Sequence, residues 1–295
     1  MTINAITIIN RLHLPVDIQY QYMKRLILTF LLALPICCIT AQTYEDFVNK
    51  AMDYIEQENY DYAEQSLLGA LRLEPANPGN TLLLVNLGTV QRSLGKYAEA
   101  LVSYNAAIAQ FPSEPLLLHN RAALYCEMDS LNDAMADYNT IVLLNPKDEE
   151  ALYRRALLHI NDKEYQKANA DLEKILEMNP ENVKASSYIG SIMKRQGKWA
   201  EAEELYTGLI YKNKTNADLY FNRAECYLQL NKLAKTQQDI TKAMECGYSD
   251  AAIYVLRGQL RLSQYDKGMA KDDFLRAQEL GANKELIEGY LKLCK

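Results

Sequence analysis

The chain reads as an all-α solenoid, about seven helix-turn-helix units in a row closed by one C-terminal helix. Three observations carry that reading. A 34-residue period runs from Tyr44 to Ala282 with one three-residue slip near residues 78–80. Small side chains recur at two fixed places in the period. Each unit also holds two amphipathic helical patterns parted by a break, as in Thr81–Glu114, where Gly95 divides TLLLVNLGTVQRSL from KYAEALVSYNAAIAQF. A length of 295 residues alone would allow two globular domains, but a short internal period makes one solenoid however long it grows.

The first element, residues 1–41, reads as an N-terminal extension and signal peptide. Met23-Lys24-Arg25 precedes an apolar stretch over 26–36, and Ala41-Gln42 follows. A basic start, a short apolar run and a small residue at the break are the marks of an export signal, and the run is about half of what a membrane span needs. Cleavage is expected after Ala41, with Met23 a better start than Met1. Export would place the protein in the periplasm or outer envelope, or outside the cell; lipidation at Cys37 or Cys38 and an uncleaved anchor are the alternatives. The segment carries three basic and one acidic side chain, so its removal takes the net charge from −6 to −8. A chain that acidic repels phosphate backbones, which argues against nucleic-acid partners.

The repeat units, spanning 44–282, start at Tyr44, Thr81, Pro115, Glu149, Val183, Ala217 and Ala251. Position 8 of the unit reads Ala51, Gly88, Ala122, Ala156, Gly190, Ala224, Gly258. Position 20 reads Ala63, Ala100, Ala134, Ala168, Ala202, Thr236, Ala270. Such side chains let two helices approach closely. Bulky residues fill position 24, from Leu67 and Tyr104 to Phe274, and position 4, where Ser186 is the exception. Pro75, Pro112, Pro146 and Pro180 close the first four units, because proline cannot continue a helix. Thr215-Asn216 and Gly247 take over that task in units five and six.

This constellation, with small residues at 8 and 20, aromatics at 4, 11, 17 and 24 and proline at 32, resembles the tetratricopeptide repeat family. The resemblance implies stacked helix hairpins in a right-handed superhelix with a concave groove. Leu131, Leu233 and Lys267 depart from the aromatic at position 17, and the irregular turn of the last unit predicts local looseness there. Residues 283–295 read as a capping helix, with Asn283 as its N-cap and Leu286, Ile287, Tyr290 and Leu291 at helical spacing.

A charge code runs through the units. Position 7 holds Arg121, Arg155, Arg223 and Arg257, and position 23 of the same units holds Asp137, Asp171, Asp239 and Asp273. Elsewhere neither appears; unit five has Ile189 and Leu205. Partner and charge travel together, so these are structural ion pairs between the two helices of a unit.

No catalytic or metal-ligating set stands out. The three histidines, His13, His119 and His159, lack metal-ligand spacing, and no phosphate-cradling glycine loop occurs. No cofactor is expected. Of the cysteines beyond the signal segment, Cys126 and Cys226 lie too far apart to pair, and only Cys246 with Cys294 stays open.

In the resembling family the groove is lined by positions 2, 5, 6, 9, 12 and 13 of each first helix. Position 6 is rich in asparagine, including Asn86, Asn120 and Asn222, interrupted by Arg154 and Tyr188. An asparagine amide both donates and accepts, so it can clamp a peptide backbone without reading its sequence; it can equally sit on a solvated face. Tyr153, Lys184 and Phe221, with Lys194 and Arg195, add a cationic and aromatic patch mid-groove. One subclass of the family grips chaperone carboxylate tails, but of its five clamp positions, here Val85, Thr89, Asn120, Glu150 and Arg154, only two match. That function is not carried over. The expected function is a non-catalytic scaffold binding an extended peptide or protein through Asn86, Asn120, Tyr153, Arg154, Lys184, Tyr188, Phe221 and Asn222. The alternatives are a homo-oligomer formed by lateral stacking, with Leu68, Leu209 and Tyr211 as contact candidates, and a regulatory subunit of an envelope enzyme.

Overall fold

The computed structural model describes residues 42–295, and the export-signal reading of the first 41 lies outside them. The described residues form fifteen α-helices and no strand. Unit one comprises α1 (Tyr44–Glu56) and α2 (Tyr60–Leu73), unit two α3 (Asn80–Ser93) and α4 (Tyr97–Gln110), and unit three α5 (Pro115–Glu127) and α6 (Leu131–Leu144). Unit four comprises α7 (Glu149–Asn161) and α8 (Tyr165–Met178), and unit five α9 (Val183–Arg195) and α10 (Trp199–Lys212). Unit six comprises α11 (Ala217–Gln229) and α12 (Leu233–Glu245), and unit seven α13 (Ala251–Ser263) and α14 (Lys267–Glu279); α15 (Lys284–Leu293) follows. Each first helix packs on the second helix of its unit, and each second helix packs on the first helix of the next. First helices of neighbouring units also meet directly, as α9 and α11 do.

Sequence dictates where the helices begin. Asp148 and Asn182 accept the backbone N–H three residues on, from Ala151 and Ala185, each at 2.9 Å, and Asn216 accepts that of Leu219 at 3.3 Å. These side chains satisfy donors that a helix start leaves free. In unit two the first helix starts at Asn80, one residue ahead of the Thr81 expected from the period. Its side chain donates to the Glu74 carbonyl at 2.7 Å and accepts from the Tyr44 hydroxyl at 3.1 Å, which ties down the three-residue slip.

The turn within each unit is the same seven times over. Glu58, Gly95, Asp129, Lys163, Gly197, Asn231 and Tyr265, all at unit position 15, have φ between +55° and +76°. The next residue's N–H closes back on a carbonyl five residues earlier, as from Lys198 to Met193 and from Asp266 to Arg261, each at 2.9 Å. That backbone bond is the Schellman closure of a helix end, and it does not depend on the side chain. The last unit's turn therefore closes like the others despite its irregular sequence, with Asp266 capping α14 through the Met269 N–H at 3.1 Å. Units six and seven end on Gly247 and Gly281 at φ +97° and +90°, where the first four units use proline.

The core follows the two small-residue positions. All seven side chains at position 20 are fully buried, and position 8 is buried throughout. Gly88, Gly190 and Gly258 face aromatic rings at position 24, and a Cβ there would stand 2.6 Å from atoms of Tyr104, Tyr206 and Phe274 respectively. Ala51, Ala156 and Ala224 instead share their units with Leu67, Leu172 and Ile240. Position 8 is thus small in proportion to the bulk it faces, with Ala122 and Tyr138 the one departure. At the C-terminal end Ile287 is buried and Tyr290 stacks on Phe274 with ring centroids 4.8 Å apart. Leu286, expected on the packed face of α15, is half-exposed.

Candidate functional site

The four arginine–aspartate pairs form in each unit that carries them. Arg155 donates to the Asp171 carboxylate at 2.8 and 2.6 Å, and Arg121 to Asp137 at 2.9 and 2.6 Å. Arg223 reaches Asp239 at 2.7 and 2.9 Å, and Arg257 reaches Asp273, which also accepts from Arg261 at 2.7 Å. The aspartates are buried, so the fork geometry and full hydrogen bonding are what make these charges tolerable. Each guanidinium has a further partner that the sequence reading missed. Its remaining nitrogen donates to Asn105, Asn139 or Thr207 in the preceding unit, at 2.7, 2.9 and 3.1 Å, and in unit seven to the Met244 sulfur. The pairs therefore join units as well as helices. They lie away from the groove and serve the stack.

The inner face opens where α9 and α11 run side by side. A cleft of about 540 Å³ is lined by Val183, Lys184, Ser187, Tyr188 and Ser191 from α9 and by Asn216, Asp218, Leu219 and Asn222 at or near the start of α11. Three of the expected groove residues, Lys184, Tyr188 and Asn222, are thus brought together, and Tyr153 of α7 stands behind them. Its ring meets Tyr188 edge-on at 5.3 Å, and the Lys184 ammonium lies 3.7 Å from its centroid, a cation–π contact. The Tyr153 hydroxyl is held above its ordinary pKa, chiefly by burial and then by its hydrogen bond with Tyr188. The Tyr153 hydroxyl therefore stays protonated at physiological pH.

Below the cleft Lys194 is only 11% exposed and is fixed by Glu225 and by the Asn222 side-chain Oδ1, both at 2.5 Å. Glu225 neutralises it, so Lys194 braces α9 against α11 and presents no charge to a ligand. Arg154 is half-exposed but paired with Glu150 at 2.5 Å on its own helix. Phe221 stacks on Tyr248 at 4.6 Å, part of the packing that closes unit six.

The asparagines are partly engaged. Asn120 donates to the Leu116 carbonyl at 3.0 Å and Asn222 to that of Asp218 at 2.7 Å, each one turn back on its own helix. Asn86 points its amide at the Met52 sulfur, 3.8 Å away. Each amide nitrogen has a second N–H for a partner, so a clamp keeps one donor per asparagine instead of two.

Ser187, Ser191 and Asp218 were not singled out from the sequence. Their signal is a loss of bulk: at positions 4, 5 and 9 unit four has Leu152, Tyr153 and Leu157, whereas unit five has Ser186, Ser187 and Ser191. The cleft exists because Ser187 and Ser191, which line it, are small.

No group of three or more His, Cys, Asp or Glu side chains is placed to hold a metal among the described residues, and no described helix is long and apolar enough to cross a membrane. His119 meets Asp148 at 3.2 Å and His159 meets Glu164 at 2.8 Å. The four described cysteines are free thiols, Cys246 and Cys294 included. Burial pushes the Cys226 thiol up to about 12, which keeps it protonated and unreactive.

Comparison with known proteins gives a consistent picture. A tetratricopeptide repeat family model matches residues 48–115, 153–214 and 194–235. A solved tetratricopeptide repeat protein from Parabacteroides merdae is 40% identical, with the alignment covering 86% of this chain and 99% of that one at a TM-score of 0.74. Among curated relatives, RNA polymerase II-associated protein 3 of Xenopus tropicalis is 34% identical over 30% of this chain, and the Hsp70-Hsp90 organizing protein of Triticum aestivum is 32% identical over 27%. Each of those matches spans 14% of the relative's length.

Proposed function

The chain belongs to the tetratricopeptide repeat family, and from that premise we propose that it is a non-catalytic scaffold holding an extended peptide or protein segment on its inner face at units five and six. Repeats of this kind mediate protein–protein interaction. The observation that carries the proposal is the cleft between α9 and α11, which combines an aromatic ring, a lysine, two serine hydroxyls and an asparagine amide in one concavity. Mixed polar groups on a rigid concave wall suit a polypeptide, whose backbone needs donors and acceptors along its length.

The test is capture of a partner by immobilised protein in three forms. Wild type and an outer-face variant, Leu143→Ala with Tyr211→Ala, are expected to retain the same partner. Lys184→Ala with Tyr188→Ala should release it, with all three forms showing similar circular dichroism. Loss in the outer-face variant alone would instead favour association through the second helices, where Leu143 and Tyr211 are 81% and 79% exposed. Of the other stacking candidates, Leu68 is at the margin of exposure and Leu209 is packed against the core.

The setting we propose is the cell envelope, supported by the basic and apolar pattern over Met23–Leu34. N-terminal sequencing of the protein from its native cells should begin near Gln42. A product retaining Met1 or Met23 would contradict export by cleavage.

A further inference from the structure

We infer that the cleft reads the order of charges in its partner, seating an acidic side chain against Lys184 and a basic one against Asp218, and thereby fixes which way round the segment lies. The inference rests on the groove reading above. Lys184 on α9 and Asp218 on α11 hold the same unit position, 2, in successive units, and both line the cleft. Of the other charged side chains of the patch, Lys194 is neutralised by Glu225 and Arg154 by Glu150, and Arg195, at the far end of α9, does not line the cleft. Lys184 and Asp218 have no ion-pair partner among the described residues and do not pair with each other. The Tyr153 ring attracts the Lys184 ammonium but leaves N–H donors free for a carboxylate. The Asp218 carboxylate has no hydrogen-bond partner among the described residues; only its backbone carbonyl is used, by Asn222.

Spacing sets the pattern. Packed helices stand about 8–10 Å apart and an extended chain advances about 3.3 Å per residue, so acid and base should be two or three residues apart. Position 2 also supplies the flank. Leu82 and Leu116 occupy it in units two and three and are 61% and 56% exposed, while Glu150 in unit four is already matched by Arg154. From unit two towards unit six the partner should therefore present aliphatic residues, then an acid, then a base.

Four fluorescein-labelled twelve-residue peptides test this by anisotropy. Two carry paired leucines followed by Glu-x-x-Lys or Lys-x-x-Glu in a Gly/Ser background, and two have the reversed sequences. In one chain direction the peptide with Glu nearer the leucines should bind at least about fivefold more tightly than its charge-exchanged counterpart. Lys184→Asp with Asp218→Lys should invert the preference, and Lys184→Gln alone should flatten it. Equal affinity for both orders, or a preference unmoved by either variant, overturns the inference. If order is ignored while Leu82→Ser or Tyr188→Ala still weakens binding, the groove reading stands without it; binding of none of the four counts against both.

Discussion

Units four and five are built to the same plan and filled in opposite ways. Their helices have the same lengths, 13 residues for α7 and α9 and 14 for α8 and α10. Unit four places Arg155 against Asp171 and reaches back to Asn139 of unit three. Unit five places Ile189 and Leu205 in the same slots and makes no such reach. An ion pair with its hydrogen bonds met and an aliphatic pair are both acceptable at a buried interface; one member of each is not. The slot thus constrains the pair and not the residue. Unit five also gives up the bulk at positions 4, 5 and 9, and it is there that the inner face opens. On α8, the second helix of unit four, Asn169 Oδ1 is buried with no hydrogen-bond partner among the described residues.

The comparison breaks most directly at the pair. Arg155→Ile alone strands the Asp171 carboxylate and should cost about 3 kcal/mol in a urea melt. Adding Asp171→Leu rebuilds the unit-five pair inside unit four and should bring stability back to within about 1 kcal/mol of wild type. A double variant as unstable as the sum of its singles would show that the slots are independent.

A smaller effect is expected at Gly190, whose added Cβ would meet Tyr206 at 2.6 Å. Gly190→Ala should cost about 2 kcal/mol, because the ring must move. The Tyr206 hydroxyl donates to the Ser187 carbonyl at 2.9 Å, so the shift would also disturb the cleft wall. Equal stability would mean that the ring has room to yield.

The smallest effect should be a gain. At unit positions 21 and 16, Glu64 pairs with Lys96 of the next unit at 2.5 Å, and Glu203 pairs with Lys232. The same positions at the junction of units four and five hold Asn169 and Lys198, which form no bond. Asn169→Glu should complete the series and raise the melting temperature by about one degree at low salt, an increment that salt should erase. No change, or a fall, would mean that the slot does not accept the pair.

What the sequence disclosed, and what it withheld, has a physical pattern. The start of α15 was legible because its cap Asn283 acts locally, accepting the Leu286 N–H, and the ends of the first four units because prolines such as Pro146 do. The ion pairs were legible because Arg155 and Asp171, like their counterparts, never occur apart. Asn139 was not, since a neutral residue one unit upstream leaves no charge to match. The side-chain bonds of Asn120 and Asn222 to their own helices also left no trace, because any helix offers a carbonyl one turn back. The cleft itself was the hardest to read: it is a deficit of volume at Ser187 and Ser191, and only the packed structure turns missing bulk into a site.

Filling that deficit asks most directly whether the opening at unit five is made for binding. Ser187→Tyr with Ser191→Leu gives unit five aromatic and aliphatic bulk like that of Tyr153 and Leu157 in unit four. The decisive measurement is calorimetric titration of this variant with the partner retained in the capture experiment. Affinity should fall at least about tenfold, roughly 1.4 kcal/mol, while the melting temperature stays at or above that of wild type. Undiminished affinity in the filled variant would contradict the claim and move recognition to another face of the solenoid.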